Sequence, residues 1–444
     1  MKAKIIFLFL ISQLFGFVLY AQNINTNKLD SLFDILSLNN KAMCSVAISK
    51  NGANIYKRSI GYSTIDNKEK LLANELTQYH IGSITKMFTA VIVFQLIEEN
   101  KLSLDAKLST FFPEIPNSKL ISIKELLNHR NGLYDFVNDS KDELWLNKPR
   151  SEVEILDAIK KGKTHFKPDS KLEYSNTGYL LLTYIIEKIT HQTYRELVQD
   201  RICNKIGLKN TFTSTPNDSQ KKYAKSYGFD HDWIEIPESY YPNVKGVGDI
   251  VSTPLELITF NEALLNGKLI SNQSLEYMKT IGDGGFGMGI IKIPFGKKYA
   301  FGHGGDTHGT HSIVGTFVNE KISMALCDNG EVYPHNDISI AILSICFIEN
   351  YQLPNFKSIE YKAEELDKYL GVYSSKQIPL KIAITKNGTT LIAQATGQAS
   401  FSLESTIRDE FKFDQAGIII DFIINKNELI LKQNGGIYLF TKDN

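Results

Sequence analysis

Cysteine is scarce in this 444-residue chain, and the four present, Cys44, Cys203, Cys327 and Cys346, never stand at C-x-x-C spacing. Structural zinc sites favour that spacing, so the pattern argues against one. Cys44, Cys327 and Cys346 lie in apolar runs and read as buried free thiols; a disulfide between any two is not assignable from sequence. An excess of either charge is missing as well. The 49 basic residues face 49 acidic ones, and removing residues 1–21, which hold Lys2 and Lys4 but no acid, leaves 47 against 49. Such a balance lacks the basic footprint of a nucleic-acid or anionic-membrane binder. After residue 22 no apolar run approaches the length that crosses a bilayer. Internal repeats and low-complexity tracts are absent. Beyond residue 348 there is neither histidine nor cysteine, which makes the C-terminal stretch a poor host for chemistry.

What is present begins with Lys2 and Lys4, an apolar run Ile5–Tyr20 interrupted by Ser12 and Gln13, and then Ala21-Gln22. This arrangement resembles a secretory signal spanning residues 1–21, with an uncleaved anchor as the alternative. Export to the periplasm or medium is the expectation, with no stable membrane span after cleavage. About 420 residues remain, more than one core usually supports, so two domains are expected. Residues 22–347 mix helical and strand patterns, residues 348–362 read as a linker, and residues 363–444 read almost entirely as strands. Eight short alternating runs, from Tyr369–Tyr373 to Ile437–Thr441, are separated by turn signals such as Lys386-Asn387-Gly388 and predict a small antiparallel barrel or sandwich.

The larger region opens with a hairpin, Met43–Ser49 and Ala53–Ile60 around Lys50-Asn51-Gly52. It closes with glycine-punctuated strands from Gly285 to Asp328 and an apolar helix Ile338–Phe347. Helices are predicted between them at Ile123–Asn128, Ser151–Lys160, Thr177–Ile189 and Tyr194–Ile202. A further helix starts after Thr253, with Pro254 at its first position and Glu256 placed for a capping box. Strands at both ends with helices between imply an α+β fold whose sheet is assembled from distant parts of the chain.

Ser83-Ile84-Thr85-Lys86 carries the chemistry. Apolar Met87, Ala90, Val91, Phe94 and Ile97 follow at three- and four-residue steps, predicting an amphipathic helix that puts hydroxyl and amine on one face. A serine becomes a nucleophile when a base takes its proton, and a buried lysine can be that base. The plainer alternative is an N-cap serine. A second match, Ser219 to Lys222, lies in a polar stretch that offers neither a rigid face nor desolvation. Tyr174-Ser175-Asn176 precedes a predicted helix and projects Tyr174 and Asn176 together: a proton shuttle and an amide contact, or else a half-buried aromatic and a helix cap. In Phe301-Gly302-His303-Gly304-Gly305-Asp306 the glycines imply that another backbone or a ligand lies against the strand. A metal site from His303, His308 and His311 is a weaker alternative, because the spacing matches no ligand motif.

S-x-x-K, then Y-x-N, then H-G-G resembles the signature of the β-lactamase-related serine hydrolases: class C β-lactamases, D-alanyl-D-alanine carboxypeptidases, D-aminopeptidases and certain esterases. Ile121–Leu133 and Gly246–Phe260 are similar to two further family segments, and the resemblance covers roughly residues 28 to 347. It implies a β-lactamase/DD-peptidase-like antiparallel sheet flanked by helices, a helical subdomain, and a site between them. It also implies Ser83 as acylated nucleophile, Lys86 and Tyr174 as the proton-transfer pair, and Asn176 as a substrate amide contact. His303, Gly304, Gly305 and Asp306 would border the substrate, the backbone N–H groups of Ser83 and Asp306 forming an oxyanion hole, with no metal or cofactor. The tail resembles a lipocalin-like barrel, which in such proteins shapes the cleft or mediates assembly. Class C enzymes usually carry lysine at the position of His303. Histidine there argues against efficient β-lactam hydrolysis and favours a peptidase or amidase on D-amino-acid peptides. A small-ester esterase, weak β-lactam turnover and a non-catalytic binding or sensing protein are the alternatives.

Overall fold

A computed structural model describes residues 24–443 except 67–68, 141–144, 216–222, 231, 357–358, 414–415 and 434–435. The signal at residues 1–21 and the second S-x-x-K at Ser219–Lys222 lie outside the described residues. Helix α1 (Thr26–Leu38) leads into strands β1 (Ala42–Lys50) and β2 (Ala53–Ile60). Asn51 and Gly52 turn the chain between them with φ of 55° and 77°, the positive values that a tight hairpin demands. Four more strands, β3 (Ile291–Phe295), β4 (Lys298–Asp306), β5 (His311–Phe317) and β6 (Ile322–Glu331), complete an antiparallel sheet ordered β3-β4-β5-β6-β1-β2. The strands at the two chain extremes of this region thus become neighbours, Ala42 opposite Glu331 and Lys50 opposite Ile322.

Period-two alternation sorts β1 between two cores. Cys44, Val46 and Ile48 pack with Leu29 and Phe33 of α1, Leu326 of β6, and Ile338 and Ile342 of the last helix of this region (His335–Cys346). Ala47 faces the opposite core with Ala325 and Val314. That second core contains α2 (Thr85–Glu98) and α3 (Asn176–Thr190).

The amphipathic expectation for α2 needs correction. Every residue from Thr85 to Leu96 is buried, including Thr85, Lys86, Thr89 and Gln95. The polar positions do not mark a solvent face, and their donors find internal partners. Thr89 Oγ1 donates to Gly246 O at 2.7 Å and Gln95 Nε2 to Leu269 O at 3.1 Å. Glu256 also departs from expectation. Thr253 caps the helix Pro254–Leu265 by accepting from Glu256 N, but the Glu256 carboxylate instead holds the N–H groups of Lys209 and Asn210. The helix predicted over Tyr194–Ile202 is α-helical to Val198 and wider-wound over Gln199–Cys203. All four cysteines are buried and free.

Toward the C terminus eight strands from Gly371–Ser375 to Gly436–Lys442 form a closed antiparallel barrel, its first and last strands paired. Closure removes the free edges that such short strands would otherwise expose. Among the described residues no helix is long and apolar enough to cross a membrane.

Candidate active site

Ser83 lies in the single 3₁₀ turn Gly82–Ile84 that feeds α2. The N-cap reading is not realised: α2 is preceded by Ile84, and no side chain caps it. Lys86 Nζ sits 2.9 Å from Ser83 Oγ, 2.9 Å from Asn176 Oδ1 and 3.1 Å from Val247 O. All three acceptors are neutral, and the Lys86 side chain is wholly buried. Burial lowers its pKa to about 7, with the charge of Asp135 pulling the other way. An amine so placed is unprotonated in a useful fraction at neutral pH and can accept the serine proton.

Ser175, not Asn176, is the N-cap of α3, accepting from Gly178 N at 3.1 Å. This leaves the Asn176 side chain free to bridge Lys86 to Asp135, whose carboxylate accepts from Asn176 Nδ2 at 3.2 Å and Asn176 N at 2.5 Å. The ring of Tyr174 lies 4.9 Å from Lys86 Nζ. Its hydroxyl oxygen is buried beside the Ser83 side chain. Burial holds that hydroxyl well above its ordinary pKa, the neighbouring Ser83 side chain pulling it partly back. His129 stacks on Tyr174 with ring centroids 4.5 Å apart and accepts from Ser175 N at 3.1 Å. Burial, then the proximity of Lys86 and His303, keeps His129 neutral.

His303 is 4% exposed, and burial lowers its pKa to about 4. Its Nδ1 contacts Gly304 O; a carbonyl only accepts, so Nδ1 carries the proton and Nε2 is left as an acceptor. The glycines around it have separate reasons. A Cβ on Gly305 would stand 2.0 Å from Ile81 O and 2.8 Å from Ser83 N, and one on Gly82 would stand 2.7 Å from Asp306 N. Bare backbone is what lets the Ser83 turn and the end of β4 meet. Gly304 has no such constraint, its nearest neighbour for a Cβ being Ser312 O at 3.7 Å.

A cleft of about 420 Å³ opens beside this arrangement, lined by Ser83, Asn176, Tyr241, Val247 and Asp306 among others. Lys86 and Tyr174 sit behind that lining, and His303, Gly304 and Gly305 do not border it. None of its described lining residues is Lys or Arg, and none lies beyond His308, so no described barrel residue lines it. The three histidines do not converge: His311 pairs with Asp306 at 2.7 Å while His303 turns to Gly304. Among the described residues no group of three His, Cys, Asp or Glu side chains is placed to hold a metal ion. Sequence reasoning left Asp135, the Val247 carbonyl and the role of His129 unassigned. His129 lay inside the segment Ile121–Leu133 already singled out, whereas nothing local distinguishes Asp135.

The profile described as Beta-lactamase matches residues 42–345. The chain belongs to the β-lactamase family. As a member it is a serine hydrolase, and relatives along its length agree. Penicillin-binding protein 4* of Bacillus subtilis is 24% identical over 92% of this chain and 96% of its own length. A teichoic acid D-alanine hydrolase of Staphylococcus aureus is 29% identical over 48% of this chain. The chain spans 52% of that hydrolase and 61% of the B. subtilis penicillin-binding protein PbpX. Among solved structures, the D-amino acid amidase of Ochrobactrum anthropi SV3 superposes with a TM-score of 0.62 at 25% identity, covering 70% of this chain and 99% of the amidase. The octameric penicillin-binding protein homologue of Pyrococcus abyssi shares the fold over 94% of this β-lactamase-family chain and 100% of its own, with a TM-score of 0.67 at 24% identity.

Proposed function

We propose that this β-lactamase-family protein is an exported amidase or peptidase that cleaves D-amino-acid amides and peptides through an acyl-enzyme on Ser83. The observation that carries the reading is the 2.9 Å contact between Ser83 Oγ and a fully buried Lys86 amine whose pKa is about 7. Lys86 takes the hydroxyl proton as Ser83 Oγ attacks the carbonyl carbon. The resulting oxyanion is held by the N–H groups of Ser83 and Asp306, acting as fixed dipoles. Tyr174 gives its hydroxyl proton to the departing nitrogen as the C–N bond breaks and takes the proton held by Lys86 in exchange. Water then attacks the acyl-serine, and the freed serine recovers its proton through the same pair. The D-amino-acid chemistry named for the amidase and the teichoic acid hydrolase supports this substrate class. Lys2, Lys4 and the apolar run after them support export. The barrel is read as an assembly surface, since none of its described residues lines the cleft.

Among the described residues no lysine or arginine lines the cleft, which disfavours a substrate that ends in a free carboxylate near the scissile bond. A D-amino acid amide or amidated D-dipeptide should therefore exceed the corresponding free acid in kcat/KM by about 10-fold or more, the cost of leaving a charge unpaired. Steady-state rates on paired D- and L-substrates test both stereochemistry and terminus. Equal rates on both enantiomers would remove the D-specific reading.

The rate should also rise about tenfold per pH unit until pH approaches 7 and then level. Only neutral Lys86 accepts the proton, and its folded pKa is about 7. A kcat/KM profile flat from pH 5 to 8 would exclude Lys86 as the base.

A further inference from the structure

The Asp135 carboxylate is 4% exposed, and its hydrogen bonds come from uncharged groups. Oδ1 accepts from Val137 N and Asn138 N at 3.1 Å each and from Asn176 Nδ2 at 3.2 Å, while Oδ2 accepts from Asn176 N at 2.5 Å. A buried charge is costly unless its neighbours are arranged for it. Four N–H donors make such an arrangement, and all four belong to residues that border the cleft, Val137, Asn138 and Asn176.

The consequence runs through Asn176. An amide side chain has one accepting and one donating end. Because the carboxylate accepts only, it takes the Nδ2 end and forces Oδ1 toward Lys86, the 2.9 Å contact already described. Turned the other way, Asn176 would set oxygen against carboxylate and an N–H against the lysine amine. Thr177 Oγ1 strengthens the same junction, accepting from Phe136 N at 3.1 Å and donating to Tyr134 O at 2.8 Å.

We infer that Asp135 is a positioning residue for acylation, fixing through Asn176 the direction from which the Lys86 amine meets Ser83 and through Val137 and Asn138 the adjoining cleft wall. The inference rests on the acyl-serine reading above. The titratable and polar side chains facing Lys86 are Asn176 and Tyr179 from α3, Tyr174 just before it, His129 and Asp135 from the preceding segment, and His303 from β4. Of these only Asp135 is a carboxylate, and it opposes the effect of burial on Lys86. Removing its charge therefore moves the acid limb of the rate profile to lower pH, opposite to what a freer, better-solvated lysine would give.

The test is Asp135→Asn beside the full-length parent, measuring thermal unfolding, kcat and KM on a D-amino acid amide, and the rate of Ser83 labelling by a fluorophosphonate from pH 5 to 9. The new amide nitrogen would face the Asn176 N–H, donor against donor. Misorientation of this kind predicts a fall of about 10- to 100-fold in kcat and in labelling rate, with KM changed less. The acid limb should shift below its parent position. Parent-like labelling and an unshifted limb in a folded variant would overturn the role of Asp135 while leaving Ser83 as nucleophile. A parent that is never labelled at Ser83 would defeat the underlying reading instead. Should Asp135→Asn not fold, Asn176→Ala carries the test. A fluorophosphonate offers no amide for Asn176 to bind, so slowed labelling supports positioning and undiminished labelling overturns it.

Discussion

Replacing Ser83 by alanine is expected to lower kcat by at least about 10⁴-fold, the scale on which removing a catalytic serine acts. The melting temperature should stay within about 2 °C of the parent, because changes away from packed or networked positions cost about 0.5 kcal/mol or less. Both halves follow from the geometry. Ser83 lines the cleft, and its side chain accepts a hydrogen bond from Lys86 and lies beside the Tyr174 hydroxyl. Once it is lost, Lys86 still has Asn176 Oδ1 and Val247 O, so no buried amine is stranded. The decisive readout is intact mass after exposure to a fluorophosphonate. One adduct on the parent and none on the variant marks Ser83 as the nucleophile, whereas labelling of both would place the reactive group elsewhere.

Gly305→Ala is expected to be nearly as damaging for a different reason. Its Cβ would meet Ile81 O at 2.0 Å and Ser83 N at 2.8 Å, and a backbone atom cannot step aside by changing rotamer. Either β4 or the Ser83 turn must retreat, which would separate the N–H groups of Ser83 and Asp306 that the proposed mechanism uses as oxyanion donors. Losing one oxyanion donor typically costs about 10²–10³ in kcat, and overpacking adds about 1–3 kcal/mol of instability. Gly304→Ala, with its nearest contact at 3.7 Å, should match the parent in thermal stability. Equal melting temperatures and equal kcat for Gly305→Ala and the parent would show that the two backbones are not in functional contact.

Local pattern carried much of this structure and long-range geometry carried the rest. The barrel strands were legible because alternation has period two and turn chemistry such as Lys386-Asn387-Gly388 marks their ends. The i, i+3 spacing of Ser83 and Lys86 likewise survives in the fold as a hydrogen bond. The environment of α2 was misjudged because Thr89 and Gln95 look solvent-facing by composition, yet their partners, Gly246 O and Leu269 O, come from far along the chain. The same limit hid Asp135 and Val247. Asn176 meets its carboxylate across 41 residues and Lys86 meets Val247 across 161, separations that no periodicity encodes.

The pairing of β1 with β6 bears on how the enzyme comes into being. Ala42 waits for Glu331 and Lys50 for Ile322, so the central ladder closes only after nearly the whole hydrolase region has been synthesised. Closing so long a loop is entropically costly and sets a slow step in folding. Until then β1 presents an open edge able to pair with other chains, and a chain ending before residue 322 would retain it. The same step brings β4, through β5 and β6, against the Ser83 turn. In the proposed mechanism, completing the sheet therefore also brings up the second of the two backbone donors that Ser83 would use.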